Sequence, residues 1–154
     1  MSDDARTRLL ETIHRTIPLS RAMGFDIVEL GPHGICVEAP LEPNVNIHGT
    51  GFAGSLYALG ALTAWAMGTH LIENAQLDAE LVIARAEINY RQPVTGRIRC
   101  TARPADSAAA SFTRELVANG RSRLPIEVSI ADGAALVAAQ LHARLTQPRD
   151  SLPG

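Results

Sequence analysis

Residues that support metal, redox or disulfide chemistry are scarce in this chain. It has two cysteines, Cys36 and Cys100, which form neither a CxxC motif nor a set with zinc-ligand spacing. We interpret both as small core residues, because free cysteines are usually buried and inert. The five histidines include no HxxxH or HExxH pair. The sequence therefore predicts no metal site, and no cofactor is expected.

Concentrated charge is also missing. The net charge is −2 at pH 7, and the 14 lysine and arginine residues are dispersed, so neither nucleic acid nor an anionic membrane is a predicted partner. The longest apolar run, at residues 52–69, is interrupted by glycine, serine and threonine, which is typical of a helix packed inside protein rather than in lipid. No apolar export core follows the acidic start, Met-Ser-Asp-Asp, and we expect a cytoplasmic location.

Carboxylates are absent from a long central stretch. No Asp or Glu lies between Glu42 and Glu73. Apolar residues lie nearly all round the helix predicted at residues 52–73, which indicates that this helix is buried. Any chemistry at this helix must therefore proceed without a carboxylate from the helix itself.

Size and hydrophobic periodicity predict one domain. We assign residues 1–147 to that domain and residues 148–154 to a disordered tail. Helical spacing predicts an amphipathic first helix at residues 3–17, ended by Pro18 and followed by a short turn. Alternating and turn-bounded segments predict strands at residues 25–30, 35–41, 81–90, 97–103, 112–118, 124–131 and 136–147.

Consecutive strands after a single buried helix favour an antiparallel sheet. The predicted architecture is α+β, with five or six antiparallel strands curved around the long apolar helix and the N-terminal helix outside. The pairs Asn119-Gly120 and Asp132-Gly133 are predicted turns. In the strand at residues 81–90, strict alternation predicts one face made by Val82, Ala84, Ala86, Ile88 and Tyr90.

Polar and small residues precede the buried helix, in the segment from Asn46 to Ser55. Gly49, Gly51 and Gly54 allow a ligand to approach the backbone closely. The first amides of a helix have no intrahelical acceptor and carry partial positive charge. This helix start is therefore suited to an oxygen atom that gains negative charge during a reaction.

Two motifs resemble those of hotdog-fold thioesterases, in which a sheet wraps a long helix and paired subunits form the sites. Many of these enzymes carry Asn-x-x-Gly-Thr-x-His-Gly-Gly before the helix, and residues 46–54 match it at Asn46, Gly49, Thr50 and Gly54. Residues 88–96, Ile-Asn-Tyr-Arg-Gln-Pro-Val-Thr-Gly, are similar to their strand and turn sequence INYLRPVTG. The resemblance extends over residues 18–146.

The chain resembles one subgroup more closely, a thioesterase domain sometimes fused behind an acetyltransferase domain. Its pattern, Asn followed by Thr-x-Phe-Gly-Gly-Ser-Leu, fits Asn46, Thr50, Phe52, Gly54, Ser55 and Leu56. Residues 120–127 also look like its GRARLPLE hairpin, and in this subgroup Phe replaces the motif His. The family's catalytic carboxylate follows that His on the helix, at the place that Ala61 occupies here when counted from Phe52.

The resemblance implies hydrolysis of acyl-CoA or acyl-carrier-protein thioesters, with the Ala53 and Gly54 amides as an oxyanion hole. The same residues also fit a plain tight turn into a helix. Asn46 is a candidate to orient water or the acyl carbonyl, or it caps the loop through an Asx-turn. Histidine titrates near neutral pH, which suits His48 to act as a general base, although loop histidines are often exposed or structural.

Six further residues are candidates for contact with the substrate: Thr50, Phe52, Ser55, Thr63, Asn89 and Arg91. Thr63 orients water or satisfies a backbone carbonyl within the helix. Asn89 lies on the polar face of its strand, where it approaches a partner subunit or is solvated. Arg91, together with Arg121 and Arg123, has the chemistry to bind CoA phosphates, unless these turn-adjacent arginines are simply solvated.

Two other functions stay open. A non-catalytic acyl-binding or CoA-binding module would keep the fold after losing the carboxylate at Ala61. An enoyl-thioester hydratase or dehydratase would use His48 as its base. The expected small-molecule partner is a CoA or carrier-protein thioester. A homodimer or dimer of dimers is expected as well, because a curved sheet leaves edges that need cover.

Overall fold

A computed structural model describes residues 2–133 and 136–147, so the tail predicted at residues 148–154 lies outside the described residues. Its helices are α1 (Ser2–Thr16), α2 (Pro18–Met23), α3 (Ala53–Asn74) and α4 (Asp106–Asn119), with a short 3-10 turn at Glu42–Asn44. Its strands are β1 (Asp26–Gly31), β2 (Gly34–Ala39), β3 (Val82–Tyr90), β4 (Ile98–Ala102), β5 (Arg123–Asp132) and β6 (Leu136–Thr146). Within this part of the chain, no helix has the length and hydropathy needed to cross a membrane.

The six described strands form one antiparallel sheet in the order β1-β2-β4-β5-β6-β3. Helix α3 lies against strands β2 to β6, and its Leu59 and Met67 side chains are fully buried. Helix α1 packs over β1, outside this helix and sheet core. The predicted α+β architecture, a long buried helix wrapped by an antiparallel sheet with the N-terminal helix outside, is confirmed.

Glycines bring α3 close to the sheet. A Cβ atom on Gly60 would lie 3.1 Å from Ile130 Cδ1, and one on Gly68 would lie 2.8 Å from Leu81 Cδ1. Protein interiors are close-packed, so these small residues let helix and sheet meet without a void between them. This contact fixes the position of the helix, and therefore of its N-terminus, relative to the sheet.

One predicted strand is a helix. Residues 112–118 belong to α4. Residues 108–110 are all alanine, the strongest helix former, and Asp106 in the first turn interacts favourably with the helix dipole. Gly120 ends the helix in the left-handed conformation (φ +67°), and its amide donates to the Leu116 carbonyl at 2.9 Å. The turn predicted at this glycine is therefore a helix cap and not a hairpin.

The turn predicted after Pro18 is the short helix α2. Pro18 occupies its first position, where a missing amide costs no hydrogen bond. Gly24, with φ +72°, ends this helix and donates its amide to the Arg21 carbonyl at 3.0 Å. The helix matters for function because Leu19 and Met23 line the groove described below.

Strict alternation fails in β3. Its pairing with β6 shifts register between Ile83 and Arg85, so Ile83 packs against the core. Val82, predicted to share a face with Ala86 and Ile88, is 43% exposed, whereas Ala86 and Ile88 pack against the core. Among the described residues β3 has β6 as its single strand neighbour, and it forms one edge of the sheet.

Candidate active site

Asn46 organises the loop before α3. Its Nδ2 donates to Thr50 Oγ1 at 2.8 Å, and its Oδ1 accepts the backbone amides of His48 at 2.9 Å and Thr50 at 3.1 Å. Gly49 occupies the left-handed region of the turn, with φ +76°. The side-chain amide of Asn46 is thus engaged within the loop. This geometry favours the Asx-turn role over direct contact with water or substrate.

The loop leads into a helix start whose first amides are free. Phe52 is the N-cap residue, in extended conformation, and no side chain caps the helix. The Phe52 amide donates to the Asn44 carbonyl at 2.7 Å. The Ala53 and Gly54 amides have no intrahelical acceptor, and both residues are exposed. Two positively polarised donors therefore point out of the helix start.

The Phe52 ring lies over Gly54. A Cβ atom on Gly54 would meet Phe52 Cε2 at 2.5 Å, so no larger residue fits at this position without moving the ring. Phe52 itself is 51% exposed. Phe52 occupies the position of the motif His. Its ring thus forms an apolar wall beside the helix amides.

An apolar groove runs from the helix start along α3. One cavity of about 280 Å³ is bordered by Phe52, Gly54 and Ser55. A second, of about 370 Å³, is lined by Ala61 and Trp65 and reaches the start of β3. Both cavities share the same wall, formed by Leu19, Met23 and Ala58. The lining of the second cavity contains no ionisable side chain, so Ala61 faces apolar surroundings.

Asn44 is a site residue that the sequence analysis missed. It is 1% exposed and borders the cavity at the helix start. Its Nδ2 donates to the carbonyls of Met23 and Pro40, both at 2.8 Å, which fixes the orientation of the side-chain amide. Its Oδ1 is buried without a hydrogen-bond partner in the described chain. Such an orphaned acceptor is costly and calls for an explanation.

Two tyrosines join the edge strand to α3. The Tyr90 hydroxyl donates to the Ala53 carbonyl at 2.7 Å, and the Tyr57 hydroxyl donates to the Ala86 carbonyl at 3.3 Å. Burial, followed by the neighbouring Tyr57, raises the pKa of Tyr90. Tyr90 therefore remains a neutral donor at physiological pH and holds the first residue of the helix in place.

Residues 6–143 match the family model described as "Putative thioesterase (yiiD_Cterm)". The chain belongs to this family. It is 30% identical to a "putative thioesterase" from Shewanella oneidensis, over 94% of this chain and 98% of that one, with a TM-score of 0.81. Protein OLEI01261 from Chlorobaculum tepidum shares 24% identity over 97% of both chains, with a TM-score of 0.90. The E. coli PaaI protein from the phenylacetic acid degradation operon shares 12% identity over 97% of both chains, with a TM-score of 0.70. Together with the wrapped helix, these likenesses identify the hotdog fold.

In this thioesterase-family protein, His48 is exposed to solvent and Thr63 is buried. His48 is exposed in the loop, and its backbone amide, rather than its ring, takes part in the loop hydrogen bonds. Thr63 is buried, donates to the Leu59 carbonyl at 2.7 Å and lies beside Cys100, on the side of α3 that faces the sheet. Because this hydroxyl is satisfied within the core, the geometry favours the backbone-carbonyl alternative for Thr63, and its contact with substrate stays a prediction.

Asn89 and Arg91 lie on the outer face of the sheet. Asn89 is paired with Gln140 in the β3 and β6 register, and Arg91 Nη2 donates to Gln140 Oε1 at 2.7 Å. Tyr90, between them, points the opposite way, toward α3. Within one chain of this family member, Asn89 and Arg91 thus lie away from the helix start, and their contact with substrate stays a prediction.

The other three candidates for substrate contact lie around the thioesterase-family motif, and their contact with substrate stays a prediction. Thr50 fixes the loop through Asn46, while Phe52 and Ser55 border the cavity. The two cysteines are buried and free, and burial raises the pKa of Cys100 to about 12. In the described part of the chain, no three His, Cys, Asp or Glu side chains are grouped closely enough to hold a metal ion.

Proposed function

We propose that this family member hydrolyses acyl thioesters of CoA or acyl carrier protein. The observation that carries the proposal is the uncapped start of α3, whose free amides open onto an apolar groove. An acyl thioester has matching parts, a carbonyl oxygen for the amides and a hydrocarbon chain for the groove. The family membership supports the same class of substrate.

The Ala53 and Gly54 amides act as the oxyanion hole in this proposal. The carbonyl oxygen gains negative charge as water attacks the acyl carbon, and each well-aimed donor stabilises that transition state by about 3 kcal/mol. Asn46 and Thr50 hold the loop, and Tyr90 holds the Ala53 carbonyl. These positioning residues keep the two donors aimed before the substrate arrives.

Activation of water is assigned to the helix-start loop, because Ala61 offers no carboxylate. His48 is the ionisable side chain in residues 45–55, and we retain it as the proposed general base. The free Oδ1 of the buried Asn44 is the acceptor that a water entering the adjoining cavity would find. The acyl chain would lie past Ala58, Ala61 and Trp65.

The edge strand supports a paired assembly, and we propose that the protein acts as a homodimer. β3 leaves one side without a strand partner within the described chain, and Val82 and Tyr90 on it are 43% and 48% exposed. An exposed apolar edge of this kind calls for cover. A second subunit along β3 would also close the groove, which Val82 and Ile83 border.

Replacing Ala53 by proline tests the oxyanion role. Ala53 is the first residue of α3, where proline is tolerated, and Phe52 already has the extended conformation that precedes proline. The substitution removes one amide donor and little else. We expect kcat for a panel of acyl-CoA and acyl-N-acetylcysteamine thioesters to fall about 100-fold with unchanged thermal stability.

Asp106→Pro is the matched control, because Asp106 is the first residue of α4 and its N-cap, Ala105, is also extended. It should leave kcat unchanged. Equal rates for wild type and Ala53→Pro would remove the oxyanion role. Absence of hydrolysis for every chain length in the wild-type protein would refute thioesterase activity.

A non-catalytic acyl-binding module is the second candidate, and one observation favours it. The groove that would hold the acyl chain has Ala61 at the family's carboxylate position and no ionisable side chain in its second cavity. Saturable binding of a non-hydrolysable acyl-CoA analogue, without turnover of the matching thioester, would support this alternative.

A further inference from the structure

Another cavity lies away from the helix start. It has a volume of about 510 Å³ and opens where the C-terminal part of α4 meets the adjoining ends of β5 and β6. Three arginines line it, Arg121, Arg123 and Arg144, and we call it the arginine cleft. Its volume is within the range of small-molecule sites.

The three guanidinium groups have no acidic partner in the part of the chain that the structure describes. Among residues 2–133 and 136–147, none of them forms an ion pair. Arg144 Nε is buried and has no hydrogen-bond partner in that part of the chain. A buried donor on a charged group costs more to leave unpaired than a neutral one. Arg144, which lines the cleft, thus has one donor without an acceptor in the described part of the chain.

The surrounding residues increase this excess of positive charge. Arg144 stands directly opposite Arg85 in the pairing of β6 with β3, and like charges at opposed positions repel. Arg85 is bound to Glu87 at 2.6 Å, so that carboxylate is already engaged. Glu115 is the one carboxylate in the cleft lining, and it accepts a hydrogen bond from Ser122 Oγ at 2.7 Å.

We propose that the arginine cleft binds a phosphate or diphosphate group carried by a small molecule. Guanidinium groups form paired, charge-assisted hydrogen bonds with phosphate oxygens, and three arginines line this cleft together with one engaged carboxylate among the described residues. The phosphates of CoA and those of free nucleotides or inorganic diphosphate share this chemistry. The experiment below distinguishes these sources.

This binding goes beyond the proposed hydrolysis, because the cleft is separate from the helix start. Ala84, near one end of β3, borders the cleft, whereas Tyr90, at the other end, contacts Ala53. Those two positions in an extended strand are about 20 Å apart. A ligand confined to the cleft of one chain therefore leaves the helix amides of that chain open.

Isothermal titration calorimetry on the full chain at low salt tests the proposal, with sodium pyrophosphate, ADP and CoA as probes. We expect measurable binding and an affinity at least about tenfold lower in the Arg121→Gln/Arg123→Gln double variant, as expected for losing one or two charge-assisted hydrogen bonds. Both arginines are exposed, so the double variant should fold. Arg144→Gln tests the buried donor separately.

Arg114→Gln is the matched control, since Arg114 is an exposed arginine of α4 that contacts Ser111 only through a 3.2 Å hydrogen bond. It removes the same charge and should leave binding unchanged. Binding of all three probes supports recognition of the phosphate group itself, and binding of CoA alone, lost in the double variant, supports the CoA nucleotide. No binding of any probe at millimolar concentration, or equal affinities in wild type and double variant, overturns the proposal.

Thioesters of N-acetylcysteamine carry no phosphate, and they separate this inference from the proposed function. Hydrolysis of such a thioester by a protein that binds no phosphate probe would overturn the arginine cleft alone. Phosphate binding without any thioester hydrolysis would overturn the proposed function and leave the cleft standing.

Discussion

At the scale of single residues, the candidate site depends on backbone amides and on the side chains that position them. Ala53 and Gly54 contribute main-chain donors, so their proposed role does not depend on reactive side chains. Asn46 and Tyr90 bind the neighbouring backbone, at 2.9–3.1 Å and 2.7 Å respectively. The motif residues therefore determine the geometry of the backbone more than they supply reactive side chains.

His70 is a buried titratable residue with a consequence for stability. It is 5% exposed, its Nε2 lies 3.2 Å from Asn74 Nδ2, and its Nδ1 is buried without a partner in the described chain. The Asn74 amide can donate only to an unprotonated Nε2, which favours the neutral ring. Burial lowers the pKa of His70, and the nearby Glu73 opposes that effect more weakly.

The pH dependence of unfolding tests this assignment. The folded-state pKa lies below the unfolded value of 6.5, so the unfolded chain binds more protons and stability is lost as pH falls from 6.5 toward the folded pKa. The loss from one such group has a slope of at most about 1.4 kcal/mol per pH unit. Urea unfolding of wild type and His70→Gln between pH 7.5 and about 5 measures it.

The difference in unfolding free energy between the two proteins should shift in favour of His70→Gln as the pH is lowered. A difference that is constant over this range would show that His70 does not titrate between the folded and unfolded states. Comparing the two proteins removes the contribution of all other titrating groups that they share.

Single-residue roles were predictable where a local motif sets them. The loop and helix-start residues from Asn46 to Ser55 lie close together in the structure because they are neighbours in the chain. Asn44 could not be predicted in this way, since its amide binds the carbonyls of Met23 and Pro40, which only the fold brings close. The position of Thr63 on the sheet side of α3 could not be predicted for a related reason, because it depends on the helix rotation.

At the scale of secondary-structure elements, α4 shows how glycine conformation sets an end. Gly120 has φ +67°, and a Cβ atom there would meet no atom within 4 Å. Gly120→Ala should therefore lower the free energy of unfolding by about 1 kcal/mol through backbone strain alone. Chemical denaturation of both proteins under the same conditions measures the difference.

Gly31→Ala provides the control for that substitution. A Cβ atom on Gly31 also meets nothing within 4 Å, and its φ is outside the left-handed region. Its effect on stability should be close to zero. If Gly31→Ala were as destabilising as Gly120→Ala, the loss at Gly120 would not come from the left-handed conformation.

Several elements lie close to the positions that the sequence predicts. The long helix and strands β1, β2, β4, β5 and β6 are each found within a few residues of the predicted bounds. In α4, Phe112 and Leu116 are buried at helical spacing, and the turn signal at Gly120 was read as a hairpin. In β3, the register shift after Ile83 depends on pairing with β6 and has no local signal.

At the scale of the whole molecule, two features of one described chain lie along β3. The β3 edge lacks a second strand neighbour, and the groove along α3 is open beside Val82. Both lie on the same side of the molecule, because β3 contributes to each. A single symmetric contact along β3 would cover the edge of both subunits and close both grooves.

Light scattering tests this pairing directly. We expect a mass twice that of the 16.4 kDa chain at micromolar concentration. Val82→Glu should shift the protein toward the monomer, because it places a charge in an apolar contact at a residue already 43% exposed in one chain. Val117→Glu, at a 67% exposed position of α4, should leave the mass unchanged. A wild-type protein with the mass of one chain would contradict the dimer.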